Sequence, residues 1–130
     1  AATATDPARQ QKLKAILEEM TAIETAIQRA REFQTRGDAA GAWESIEIAS
    51  AKYPQDPEIN RLRADLASGG AATFVRSLNK GADLEARGDY GAALAWYLDA
   101  HRQYPPSTLA QKRIDALAAR ILPGAPPEAP

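Results

Sequence analysis

The chain has 130 residues, a formal net charge of −1 and no cysteine. That length suits one domain burying roughly two thirds of the surface its unfolded chain would expose, and the charge balance supplies no field for gathering nucleic acid or an anionic membrane. Disulfides and thiolate metal sites are excluded.

No apolar run reaches the roughly 18 residues of a membrane span, and no basic-then-apolar leader is present. This predicts a soluble protein without direct membrane insertion, either cytoplasmic or a periplasmic or envelope domain of a longer chain. A disordered N-terminus is expected over 1–5, a single helical domain over 6–122, and a Pro/Ala-rich tail or linker over 123–130, where "GAPPEAP" cannot pack a core. The start at Ala1 and this ending suggest a processed protein or an excised domain.

In chain order, Asp6 followed by Pro7 is a helix start, because aspartate caps free N–H groups and proline lacks the one that is unpaired in the first turn. Leu13, Ile16, Leu17, Met20, Ile23, Ile27, Ala30 and Phe33 then recur in steps of one to four, predicting one long amphipathic helix that ends at Gly37. A second helix over about 39–53 faces inward through Ala42, Trp43, Ile46 and Ala49 and stops at Pro54. Asp56 and Pro57 open a third with Ile59, Leu62 and Leu66, and "SGG" at 68–70 breaks it. The fourth runs from Ala72 through Phe74, Val75, Leu78, Gly81 and Leu84. The fifth runs from Tyr90 through Leu94, Trp96, Tyr97 and Ala100 to Tyr104. Ser107 caps a sixth, whose apolar face is Leu109, Ile114, Leu117, Ile121 and Leu122. Period-two alternation is absent, so the expected fold is all-α.

Arg-Gly-Asp occurs at 36–38 and again at 87–89. Matching alanines (Ala42 and Ala93, Ala49 and Ala100) and a closing Tyr-Pro follow each copy, so the recurring object is a helix, a tight turn, a second helix and a stop. An adhesion signal needs a flexible exposed loop. Here Gly37 and Gly88 are expected to end one helix while Asp38 and Asp89 cap the next.

These residues resemble the tetratricopeptide repeat, a pair of antiparallel helices about 34 residues long. Gly81, Leu84, "GDY" at 88–90, Ala93, Tyr97, Ala100 and Pro105 carry the resemblance in one copy; Ala30, Phe33, "GD" at 37–38, Ala42, Ile46, Ala49 and Pro54 carry it in the other. The resemblance implies a six-helix array of two hairpins, acting without catalysis as a scaffold for a partner protein or peptide. The copies stand fifty-one residues apart, one repeat plus an extra helix. Two three-helix units, about 20–68 and 72–122, and a continuous superhelix therefore both remain open. Carried over from peptide-binding members, the groove would be lined by Glu24, Ile27, Arg31 and Gln34 in the first copy and by Val75, Leu78, Ala82 and Glu85 in the second. The Lys and Asn pattern with which some members hold a terminal carboxylate is absent.

No enzyme, cofactor or metal site is expected. His101 is the only histidine, and Glu44 with Glu47 is the commonest kind of pair on a helix, a solvated one. Phe33, Trp43, Tyr53, Phe74, Tyr90, Trp96, Tyr97 and Tyr104 fall mostly at seam positions, predicting core packing, with Trp96 or Tyr90 as a partner anchor if either faces outward. Leu13, Met20 and Ile27 with Ile16, Ile23 and Ala30 form a seven-residue repeat. That repeat suits a homodimer seam and suits internal packing equally well. A regulatory appendage of a larger protein is the further alternative.

Overall fold

The computed structural model describes residues 6–122, which form helices and short turns with no strand among them. The helices are α1 (Pro7–Thr35), α2 (Ala39–Lys52), α3 (Pro57–Ser68), α4 (Ala72–Ala86), α5 (Tyr90–Gln103) and α6 (Thr108–Ile121). Side chains cap five of the six N-termini: Asp6, Asp38, Asp56, Asp89 and Ser107 each accept from backbone N–H groups of the first turn. α4 begins without one.

The two Arg-Gly-Asp segments are helix joints built identically. Gly37 (φ 78°) and Gly88 (φ 81°) are left-handed. The Asp38 N–H reaches Phe33 O and the Gly37 N–H reaches Gln34 O, both at 2.9 Å; the Asp89 N–H reaches Leu84 O at 2.9 Å and the Gly88 N–H reaches Glu85 O at 3.0 Å. This six-to-one and five-to-two pairing closes a helix end around glycine. Each aspartate then turns its side chain to the next helix, Asp38 to the Gly41 N–H at 2.9 Å and Asp89 to the Ala92 N–H at 3.3 Å. Arg36 lies over the Phe33 ring, 4.8 Å from its centroid.

A methyl at Gly37 or Gly88 would meet open space, so Ala there costs only the left-handed backbone penalty. Gly37→Ala and Gly88→Ala are each expected to destabilise by about 1–2 kcal/mol. Gly91→Ala, which is equally uncrowded but sits in the first turn of α5, is expected to be neutral or mildly stabilising. Denaturant midpoints of the three variants check the contrast.

Each helix packs on its neighbours in the chain: α1 with α2, α2 with α3, α3 with α4, α4 with α5, and α5 with α6. Buried positions pair at the fifty-one-residue interval: Ile27 with Leu78, Ala42 with Ala93, Ile46 with Tyr97, Ala49 with Ala100, Ile59 with Ala110 and Leu66 with Leu117. The turns between α2 and α3 and between α5 and α6 also match. Tyr53 and Tyr104 each donate N–H to the alanine four residues back, and each accepts at its carbonyl from the N–H of the following cap residue, Asp56 or Ser107.

Two stretches depart from the predicted core. In the first half of α1, Leu13, Ile16, Leu17 and Met20 are 52–58% exposed among the described residues, because α2 is half the length of α1 and covers it only from about Ile23 onward. At the other end Ile121 and Leu122 are exposed among the described residues.

Candidate functional site

Gly81 decides the geometry of the second hairpin. A methyl built there would lie 2.4 Å from Tyr97 Cε1, so only the bare α-carbon lets the tyrosine ring lie flat on α4. Tyr97 is 1% exposed, and its hydroxyl donates to Glu85 Oε1 at 2.7 Å. Burial first, then the hydrogen bond to Glu85, raises the tyrosine above its ordinary pKa of 10.0 and keeps it a donor. The Arg113 guanidinium stands 5.7 Å from the ring centroid.

Above this pair, α4 and α6 leave a cleft of roughly 510 Å³. Ala82, Ala86 and Ala116 form its apolar walls, Tyr97 and Glu85 lie at its base, and Lys112, Arg113 and Arg120 stand at its rim. Arg120 is held at the edge of the cleft, 3.8 Å from Glu85 Oε2 and 5.4 Å from the Tyr90 ring centroid. Three cations thus face one carboxylate that already accepts a hydrogen bond.

A second polar centre joins α2 to α6. Glu44 is 6% exposed. Its Oε1 accepts from the Ser107 hydroxyl at 2.5 Å; its Oε2 accepts from the Thr108 N–H at 2.8 Å and the Thr108 hydroxyl at 3.1 Å. Ser107 Oγ in turn accepts from the Ala110 N–H at 2.9 Å. The carboxylate sits on the positive end of α6, where unpaired N–H groups need an acceptor. Trp43, Phe74 and Tyr104 stack edge to face beside it, with centroids 6.0 and 5.9 Å apart. Burial, with Asp38 and Glu44 nearby, raises Tyr104 above the usual tyrosine value.

The third cluster is structural. Ser77 is 1% exposed and donates to Asp99 Oδ2 at 2.8 Å, while Gln103 Nε2 donates to Ser77 Oγ at 3.0 Å and to Asp99 Oδ2 at 2.9 Å. These bonds, that from Ser77 foremost, hold Asp99 below its normal pKa. A carboxylate so stabilised is a poor base, and a hydroxyl so buried meets no substrate. Among the described residues no group of three His, Cys, Asp or Glu side chains could hold a metal ion, and no helix is long and apolar enough to cross a membrane.

The eight residues expected to line a groove are not brought together. Ile27, Val75 and Leu78 are in the core; helix packing occupies the face that the carried-over pattern assigns to a ligand. Glu24, Arg31 and Gln34 are exposed on α1, with Arg31 paired to Glu58 of α3 at 3.3 Å. Ala82 and Glu85 do line the α4–α6 cleft. Gly37, Asp38, Gly88 and Asp89 hold the joints as described. Glu44 and Glu47 correct the expectation of a solvated pair: Glu44 is buried against α6, and Glu47 is ion-paired with Arg63 of α3. Trp96 and Tyr90 are half-buried, and Arg120 Nη1 lies 3.4 Å from the Tyr90 hydroxyl.

Sequence reasoning missed Lys112, Arg113 and Arg120. The sixth helix was legible only as a cover, and the spacing of these cations (one, then seven residues) is a face pattern that needs a neighbour to give it meaning. No protein-family model, curated protein or solved structure gives a significant match to the chain. Over the described residues, fold and geometry together define an all-α protein of six sequentially packed helices carrying a basic-rimmed cleft.

Proposed function

We propose that this protein is a non-enzymatic interaction module, a duplicated three-helix unit of tetratricopeptide-like hairpins, whose α4–α6 cleft receives an acidic segment of a partner protein. The observation that carries the reading is the cleft itself: Lys112, Arg113 and Arg120 line it together with three alanines, and the carboxylate at its base, Glu85, is already engaged. An extended segment with carboxylates flanking a small apolar residue matches that lining. Binding through such a surface depends on salt, because the rim cations are solvated. The buried pairs at fifty-one-residue spacing support the duplicated unit.

Fluorescence anisotropy with labelled acidic, neutral and basic peptides tests the reading. Acidic peptides are expected to bind and to weaken as salt rises. Lys112→Glu with Arg113→Glu is expected to reduce affinity by about tenfold or more. Equal affinity for all three peptide classes, or indifference to the double reversal, removes the cleft as the binding site.

A further inference from the structure

The projecting half of α1 is the largest unexplained feature of the surface. Every residue from 7 to 21 is exposed, a rod about 22 Å long at 1.5 Å per residue. Along it Leu13, Ile16, Leu17 and Met20 are 57, 52, 55 and 58% exposed. The stripe continues, at the same helical spacing, the face through which Ile23, Ile27 and Ala30 join the core. It is therefore a seam whose facing helix, α2, ends too early at Lys52.

The charges beside the stripe specify what continues the seam. Arg9, Lys12 and Lys14 precede it or lie in its first turn, Glu18 and Glu19 lie in its last, and the ion pair that α1 makes to another helix is farther along, at Arg31. Two copies running antiparallel set the basic end of each arm on the acidic end of the other, twice by symmetry. Two parallel copies would set like on like. An axis between Ile16 and Leu17 places Leu13 opposite Met20 of the second copy, and at about 100° per residue Lys12 and Glu19 share one flank of the stripe, so Lys12 of each copy faces Glu19 of the other.

Half of each of four large side chains is on the order of 90 Å² apiece; doubled by symmetry that is about 720 Å², to which the stems of the flanking Lys and Glu add, an area suited to a weak, concentration-dependent dimer.

We propose that this arm is a homodimer seam in which two copies pair antiparallel through Leu13, Ile16, Leu17 and Met20, with Lys12 facing Glu19 across it and the basic end of each arm lying along the acidic end of the other. The seam lies apart from the α4–α6 cleft, and either assignment can fail without the other.

Sedimentation and light scattering of the intact chain across a wide concentration range test it. A monomer–dimer equilibrium is expected, with Leu17→Glu weakening it about a hundredfold while helix content and peptide binding at the cleft stay unchanged. Lys12→Glu with Lys14→Glu is expected to weaken the dimer, and adding Glu18→Lys with Glu19→Lys to the same chain is expected to restore it. Because the chain has no cysteine, single cysteines report direction cleanly. A mixture of Leu13→Cys and Met20→Cys chains is expected to cross-link as a heterodimer, and neither alone. A monomer at every concentration overturns the proposal and leaves the stripe to a partner of different sequence; cross-linking of Leu13→Cys to itself overturns the antiparallel arrangement.

Discussion

Gly81→Ala is expected to destabilise the fold by about 2–3 kcal/mol, and the same change beside Tyr97→Ile is expected to cost far less than the two single substitutions added together. The cause is a contact with no slack: the new methyl would stand 2.4 and 2.6 Å from Tyr97 Cε1 and Cδ1, and the ring cannot retreat because it is fully buried with its hydroxyl tied to Glu85. Tyr97→Ile alone leaves a void over the glycine and strips Glu85 of its donor, which is expected to cost about 2–4 kcal/mol. The double variant reproduces what the first hairpin already uses, since Ala30 and Ile46 stand at the matching positions and are both fully buried. A small residue against a large one, or two middling ones, fills the same seam. A double-mutant cycle from urea unfolding is expected to show at least about 1 kcal/mol of favourable coupling. Strict additivity would mean that the two hairpins do not share a packing solution.

Glu44→Ala is expected to destabilise by about 3–4 kcal/mol and to loosen α6 more than α1. Three donors converge on this carboxylate, hydrogen bonds to a charged group contribute about 1.5–3 kcal/mol each when broken singly, and alanine would leave the first turn of α6 partly unsatisfied within the protein. Glu44→Gln keeps one acceptor oxygen and is expected to lose about half as much. Ser107→Ala, which removes the cap of α6 and one of Glu44's donors together, is expected to cost about 1–2 kcal/mol. Hydrogen exchange locates the damage: amides of α6 are expected to lose protection in Glu44→Ala while those of α1 keep theirs. Uniform loss along the chain would show that the contact serves global stability and not the joint between the two halves.

The contrast between these residues explains what was legible beforehand. Gly37, Asp38, Gly88 and Asp89 act through their own backbone and that of residues within five positions, so their role is written locally and twice. Glu44 acts on residues more than sixty positions away, and its counterpart one interval later is the exposed Ala95, so neither local spacing nor the internal repetition could mark it. The cleft has the same character: Ala82 and Glu85 were expected to lie in a groove, but the cations that define it come from α6, whose approach to α4 is set by the ring of Tyr97 lying between them. Ile27, Val75 and Leu78, which the resemblance carries into a groove, are buried. Apolar residues at helical spacing show that a face is covered without showing whether a ligand or a neighbouring helix covers it.

The amino-acid sequence alone determined the six helices, their stops and caps, and the fifty-one-residue interval, because proline, glycine and capping side chains act on the few backbone groups beside them. Only the tertiary structure decided which apolar faces are covered, which carboxylate lies buried, and where three cations meet. Those outcomes depend on helix lengths relative to one another: α1 outruns α2, and among the described residues no helix faces the stripe from Leu13 to Met20.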